Sequence, residues 1–134
     1  LKGLKHARKI ASRCTVAVWG LAYKGEVRDT RRSPALEILR LLQRARVNVR
    51  VYDPFVSSVT VSAKTYNSEG SMEESVRDAD CIIVATNHNQ FRGAPLKVLA
   101  SMMRPNPIIH DTRNVLSRQD CEAAGFTYLA VGRP

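Results

Sequence analysis

The pattern of apolar and polar positions divides the first third of the chain into strand, helix and strand. Residues 15–19 form a continuous apolar run that ends at Gly20, which is typical of a strand buried on both faces. Ser33 and Pro34 predict the start of a helix, because serine caps the first amides and proline suits the first helical position. Alternating valines at 47–51 predict a second strand.

Strands and helices continue to alternate to the end of the chain. Ser71 precedes a short acidic helix, and Gly125 ends a later one. A short strand is expected at 63–66, inside residues 55–70, which are the least regular part. Strands are further predicted at 80–85, 107–111 and 126–129, and helices at 95–103 and 117–124. We therefore predict an α/β domain of three layers, with a mostly parallel sheet of about six strands.

This topology selects the residues that could form a functional site. In open parallel sheets, ligands bind beyond the carboxyl ends of the strands. The segments that follow the predicted strands there are 20–34, 53–54, 86–91 and 111–114. Candidate chemistry is therefore expected in these four connections.

The first connection, residues 20–34, is much longer than the usual strand-to-helix turn of roughly 2–6 residues. Lys24 offers a point charge and Arg31 a planar fork, both suited to phosphate oxygens, and the helix start adds amide donors. The common phosphate loops do not fit, because Ala22 stands at the second glycine position and Glu26 follows the lysine-glycine pair. The segment is either an anion site or a solvated basic loop.

Three further polar residues lie at the same predicted edge. Asp53 is interpreted as a turn-forming residue, with ribose binding as the alternative. His88 fits a polar loop residue better than a general base, since no nucleophile is paired with it in sequence. Arg113 is either an ordinary surface arginine or a ligand contact that faces the same edge as Lys24.

Charge sharpens this picture. The chain of 134 residues carries a formal net charge of +9, which favours anionic partners. Five bases and no acid fall within residues 1–13, where apolar positions recur at helical spacing. We expect this segment to be the end of a helix from a longer protein, and residues 14–134 to be the domain itself.

Other classes of site have little support in the sequence. No apolar stretch is long enough to cross a membrane, so a cytoplasmic location is expected. Cys14, Cys81 and Cys121 are far apart, which argues against a zinc site or disulfides and favours buried, unreactive thiols. We assign no metal site and no catalytic residue to this chain.

Several of these segments, taken together, match one family. The sequences at 20–24, 29–35 and 51–54, then T-x-H-x-x-F at 86–91 and D-x-R-N at 111–114, closely resemble the C-terminal, UDP-binding domain of the UDP-glucose/GDP-mannose dehydrogenases. The matches occur in the family's order and cover nearly the whole chain from residue 14. The resemblance implies a Rossmann-like fold.

The resemblance also implies a function: NAD-dependent oxidation of the C6 alcohol of a UDP-sugar to a carboxylate. By this analogy Tyr23, Lys24 and Arg113 contact the UDP-sugar, and Arg31 reaches the NAD. The catalytic cysteine and most of the NAD site would lie in an N-terminal domain, joined through the helix that ends at residues 1–13. The fragment alone is expected to be inactive, and the full-length protein to be a homodimer or larger.

The sequence departs from the family at Arg32, where glutamate is usual, and residues 55–70 match no family pattern. The motifs around Lys24 and Arg113 resemble dehydrogenases of UDP-N-acetylhexosamines more than those of GDP-mannose. Two other functions remain open. The basic charge would suit a nucleic-acid-binding module, although an aromatic content of 6% argues against it. A purely structural role in oligomer contacts is the other.

Overall fold

Five parallel strands form the centre of the molecule. The computed structural model describes residues 13–130 and places these strands in the order β2-β1-β5-β6-β7. A separate antiparallel hairpin pairs β3 with β4. The strands are β1 Thr15–Trp19, β2 Asn48–Tyr52, β3 Ser58–Val61, β4 Lys64–Asn67, β5 Cys81–Val84, β6 Ile108–Asp111 and β7 Thr127–Ala130. The helices are α1 Pro34–Arg44, α2 Met72–Val76, α3 Asn89–Arg92, α4 Leu96–Met102 and α5 Arg118–Ala123.

Helices cover both faces of the sheet, which explains why β1 is apolar throughout. Val16 and Val18 face a core that contains Leu39 of α1 and the inward side of the hairpin. Ala17 and Trp19 face the opposite core, which is formed with α2 to α5. Successive strand residues point to opposite faces, so both sets are buried. The prediction of a three-layer, Rossmann-like α/β domain is confirmed.

The sheet has five strands rather than about six, because the strand expected at 63–66 belongs to the hairpin. Ser62 and Ala63 connect β3 to β4 with φ of 52° and 65°. Two consecutive left-handed residues form the tight turn whose twist suits a hairpin. The hairpin then buries Val59, Val61 and Tyr66 in the α1-side core.

The predicted helix boundaries are confirmed where a serine begins the helix. Ser33, Ser71 and Ser117 each accept a hydrogen bond from a first-turn amide. Gly125 follows α5 with a φ of 103°, a conformation that favours glycine. Helix α3 was not predicted, because a single turn of four residues is too short to show a periodic pattern.

The segment expected to end a connecting helix, residues 1–13, lies outside the described residues except for Arg13. Within residues 13–130, no helix is long and apolar enough to cross a membrane.

Candidate functional site

The carboxyl ends of four strands lie side by side at one edge of the sheet. Trp19 at the end of β1 pairs with Tyr52 of β2 and with Val84 of β5, and Val84 in turn pairs with Asp111 of β6. The predicted site segments therefore share one edge, as expected. Neighbouring strands are about 4.8 Å apart, so the connections after β1 and β6 begin roughly 10 Å from each other.

Asp53, directly after β2, is a buried carboxylate at this edge. Its Oδ2 accepts hydrogen bonds from the amides of Leu21 (2.6 Å) and Ala22 (3.2 Å), and its Oδ1 accepts from Phe55 (2.7 Å) and Val56 (3.0 Å). The turn-forming interpretation is confirmed. The same carboxylate also fixes the start of the first connection, which no local pattern had indicated.

Burial by itself raises the pKa of the Asp53 carboxyl. The hydrogen bonds from His88 and from the amides of Leu21 and Phe55 outweigh burial, so that its pKa lies below the ordinary value. Asp53 is therefore an ionised, fully bonded group, and its oxygens are already committed to the protein.

His88 is buried beside Asp53 and uses both of its ring nitrogens. Nδ1 accepts the amide hydrogen of Glu26 at 2.9 Å, so Nδ1 carries no proton. Nε2, which lies 2.9 Å from Asp53 Oδ2, is therefore the protonated nitrogen and donates to the carboxylate. Both ring nitrogens are hydrogen-bonded within the protein and the side chain is fully buried, so His88 cannot reach a substrate as a general base.

Residues 86 and 87 approach the first connection so closely that two glycines are required in it. A Cβ at Gly20, which has a φ of 100°, would lie 2.4 Å from Thr86. A Cβ at Gly25 would lie 2.5 Å from the Asn87 Oδ1 that accepts the Gly25 amide. Thr86 also donates through its hydroxyl to the carbonyl of Ala22.

Glu26 completes this attachment, because its side chain accepts from the amide and the side chain of Asn89 at the start of α3. Residues 20–26, which we call the anchored segment, are thus bonded along their length to the ends of β2 and β5. Tyr23 and Lys24 lie in its middle and are both exposed; 47% of Tyr23 is accessible.

Residues 27–32, the outer segment, are held differently. Asp29 and Arg31 form a two-pronged ion pair, with Oδ1 3.0 Å from Nε and Oδ2 2.9 Å from Nη2. The hydrogen bonds from Arg31 lower the pKa of Asp29 to about 2, although the carboxylate is exposed to water. The same pairing raises the pKa of Arg31, whose side chain is 87% exposed.

The start of α1 offers fewer donors than the sequence suggested. Pro34 has no amide hydrogen, and Ala35 donates to the side chain of Ser33. Leu36 donates to the carbonyl of Ser33. Its first amides are thus used within the helix, which leaves mainly the helix dipole to favour an anion.

Arg113 lies on a second ordered loop at the same edge. The buried carboxylate of Asp111 accepts from the amides of Arg113 (3.1 Å) and Leu116 (2.7 Å), and Tyr128 also donates to it. The Arg113 side chain is exposed, and it makes no ion pair with any residue of 13–130. The parallel topology places the loop that carries Arg113 at the same edge of the sheet as the loop that carries Lys24.

The cysteines are buried, as predicted. Burial and the neighbouring carboxylates raise the pKa of Cys121 to about 12, so this thiol is not a nucleophile near neutral pH. Among the described residues, no cluster of histidine, cysteine and acidic side chains could hold a metal ion.

Comparison with known proteins decides the family. Residues 17–118 match the model of the UDP binding domain of the UDP-glucose/GDP-mannose dehydrogenase family. The chain belongs to this family. UDP-N-acetyl-D-mannosamine dehydrogenase from Pyrococcus horikoshii is 34% identical over 132 residues, which are 98% of this chain and 28% of that protein. UDP-glucose 6-dehydrogenase TuaD from Bacillus subtilis is 30% identical over 124 residues, 90% of this chain and 26% of that protein.

Solved structures agree with this membership. The structure of the Pyrococcus horikoshii enzyme has a TM-score of 0.83 over 98% of this chain and 28% of its own. An NDP-N-acetyl-D-galactosaminuronic acid dehydrogenase from Methanosarcina mazei has a TM-score of 0.87 at 28% identity, over 98% of this chain and 27% of its own. The chain thus spans a little over a quarter of the length of these relatives.

The segments that resemble the UDP-glucose/GDP-mannose dehydrogenase family divide into buried and exposed residues. Asp53, Thr86, His88 and Asp111 are buried and shape the edge, and Phe91 stacks on Trp19 at 5.2 Å. The predicted binding residues Tyr23, Lys24, Arg31 and Arg113 are exposed. Sequence reasoning missed the bonds that Asp53 and His88 make to the anchored segment. The available signal was that both residues come shortly after strands that flank β1, whose carboxyl end begins the anchored segment.

Proposed function

We propose that this domain forms the nucleotide side of the substrate site in an NAD-dependent UDP-sugar 6-dehydrogenase. The reaction would oxidise the C6 alcohol of the sugar to a carboxylate. Membership of the family and the names of its relatives support this proposal. Since the chain covers only about a quarter of those relatives, the activity belongs to the proposed full-length protein.

The observation that carries the proposal is the exposure of Tyr23 and Lys24 on a segment whose backbone is fixed from both sides. A side chain on an ordered backbone loses less entropy when it binds than one on a mobile loop. Lys24 has no ion-pair partner in the part of the chain that the structure describes, so its charge is available to a diphosphate. Arg113, on the neighbouring ordered loop, would contact the nucleotide or its phosphates.

The proposed role of Arg31 is to contact NAD across the cleft. Asp29 uses Nε and Nη2 of the guanidinium, while Nη1 makes no hydrogen bond within residues 13–130. An exposed arginine with donors to spare fits an anionic cofactor, so the residues present are compatible with NAD. The cofactor, when bound, would supply the hydride acceptor, and Arg31 would orient it by charge and hydrogen bonding.

The remaining parts of the proposal concern the longer protein. An N-terminal domain would carry the catalytic cysteine and most of the NAD site, and residues 1–13 would end the helix that joins it. Full-length chains would form a homodimer or a larger oligomer. The present domain would bind substrate without turning it over.

Calorimetric titration of the chain with UDP tests the binding proposal. We expect Lys24→Ala to weaken binding by one to two decades, because a charge-assisted phosphate contact contributes about 1.5–3 kcal/mol. Lys64→Ala is the matched control, since Lys64 is an exposed lysine of the β3-β4 hairpin and not part of the proposed site. Equal losses in both variants, or no UDP binding to the unmodified chain at millimolar concentration, would contradict binding by this domain.

The choice of nucleotide gives a second test. UDP, UDP-glucose, a UDP-N-acetylhexosamine and GDP-mannose can be titrated under one set of conditions. We expect the three uridine nucleotides to bind and GDP-mannose to bind more weakly. Tighter binding of GDP-mannose would contradict the assignment to a UDP-sugar.

A further inference from the structure

We propose that His88 and Asp53 are positioning residues that hold the anchored segment, residues 20–26, in the conformation that presents Tyr23 and Lys24 to the nucleotide. This inference rests on the proposed function, since it names the groups that prepare the same site. Neither residue would touch the ligand, and both would act through the backbone.

The hydrogen bonds of this pair lie on both sides of the two presenting residues. Asp53 Oδ2 accepts the amides of Leu21 and Ala22, immediately before Tyr23. His88 Nδ1 accepts the amide of Glu26, two residues after Lys24. The backbone between these points is thus fixed at its entry and at its exit.

The pair is also linked internally and held in place. His88 Nε2 and Asp53 Oδ2 are 2.9 Å apart, and both side chains are fully buried. The His88 ring packs between Phe55 and Phe91, with centroid distances of 5.1 and 5.5 Å. A buried polar pair contributes little net stability compared with apolar packing, whereas its fixed geometry can specify one conformation.

This arrangement has a consequence for proteolysis that does not involve UDP. Trypsin can cleave after Lys24 in the anchored segment and after Arg28, Arg31 and Arg32 in the outer segment. Cleavage needs a locally extended backbone, so bonded segments resist it. Within this connection of the unmodified chain, we expect faster cleavage in the outer segment, after Arg31 and Arg32, than after Lys24.

Three substitutions of His88 test its two hydrogen bonds separately. His88→Asn keeps an acceptor near Nδ1 for the Glu26 amide and loses the donor to Asp53. His88→Gln keeps a donor near Nε2 and loses the acceptor, while His88→Ala loses both. We expect the ratio of cleavage at Lys24 to cleavage at Arg31 and Arg32 to rise most in the alanine variant and less in the other two.

UDP affinity should follow the same order. If roughly one molecule in ten of His88→Ala keeps the competent backbone, its dissociation constant rises about tenfold. Ile109→Val is the control for general destabilisation, because this buried residue of β6 lies in the core on the α2-to-α5 side and is remote from the anchored segment in sequence. It should lower the melting temperature without changing the cleavage ratio or the affinity.

The outcomes separate this inference from the proposed function. Unchanged cleavage ratios in the folded His88 variants, or an equal change in Ile109→Val, would overturn the positioning role. Failure of the unmodified chain to bind UDP would contradict the proposed function, while the cleavage ratios would still decide whether the pair holds the segment.

Should the variants not fold, amide hydrogen exchange of the unmodified chain decides. The amides of Leu21, Ala22 and Glu26 must exchange more slowly than that of Arg28, and equal rates would refute the inference.

Discussion

The connection between β1 and α1 has two halves that are held in different ways. The anchored segment, residues 20–26, is bonded to residues that are 31 to 64 positions away in sequence. The outer segment, residues 27–32, relies on the exposed pair of Asp29 and Arg31, together with a bond from the Tyr23 amide to the Asp29 carbonyl. Charged side chains occur in both halves, but only those of the first have a backbone fixed by buried partners.

This difference indicates a division of roles within one loop. Proposed substrate contacts lie on the ordered half, where preorganisation lowers the entropic cost of binding. The proposed cofactor contact, Arg31, lies on the exposed half, where a side chain can adjust to a group on another domain.

The largest loss of stability is expected for Asp53→Ala, because Asp53 holds the anchored segment. The variant leaves the amides of Leu21, Phe55 and Val56 without their acceptor in a buried place, and it also leaves His88 without its partner. We expect the free energy of unfolding to fall by about 3–5 kcal/mol, measured by urea denaturation. Asp29→Ala, in the exposed outer segment, should hardly change it, because water screens an exposed ion pair. Similar losses in the two variants would remove the distinction.

The second effect compares two glycines that both have positive φ. Gly20→Ala brings a Cβ to 2.4 Å from Thr86, whereas Gly125→Ala has open space around it. Both variants incur about 1 kcal/mol of backbone strain, and the clash should bring the total for Gly20→Ala to roughly 3 kcal/mol. Thermal unfolding of both variants measures the difference. If they lose equal stability, residues 20 and 86 are not packed as described.

The third effect concerns acid. The pKa of Asp53 is lower in the folded chain than its ordinary value of 3.8, so the ionised carboxylate stabilises the fold above that value. This contribution is lost as the pH falls through the lowered folded pKa. Urea titrations from neutral pH downward should show a steeper loss for the unmodified chain than for Asp53→Asn, which has no carboxylate to protonate. Parallel curves would mean that Asp53 does not gain these bonds on folding.

The smallest effect on stability is expected for Arg31→Ala. Water screens an exposed ion pair, so the free energy of unfolding should hardly change. The local signature is nevertheless clear, because the pKa of Asp29 should rise from about 2 toward its ordinary value of 3.8. An NMR titration of the Asp29 carboxyl measures this shift, with Arg40→Ala as a control on another exposed ion pair. An Asp29 pKa that stays low in Arg31→Ala would show that another group holds it.

Much of the fold could be predicted because its signals are local. The apolar run of β1, the serine caps and the order of strands and helices each follow from neighbouring residues. Only the second strand of the hairpin was predicted. Its turn consists of Ser62 and Ala63, and neither is the glycine or asparagine that usually marks such a turn. Helix α3 depends on Phe91 packing against Trp19, which no local pattern shows.

The sequence by itself determined which charged side chains lie at the carboxyl edge, because parallel topology places the residue after each strand there. It therefore indicated Lys24, Arg31 and Arg113 as candidates, whereas Tyr23 was indicated only by the resemblance to the family. Only the tertiary structure decided that Asp53 and His88 are fixed within the protein rather than available to a ligand. Their bonds join segments more than 30 residues apart, and such contacts form only after the strands are aligned, so spacing along the chain cannot reveal them.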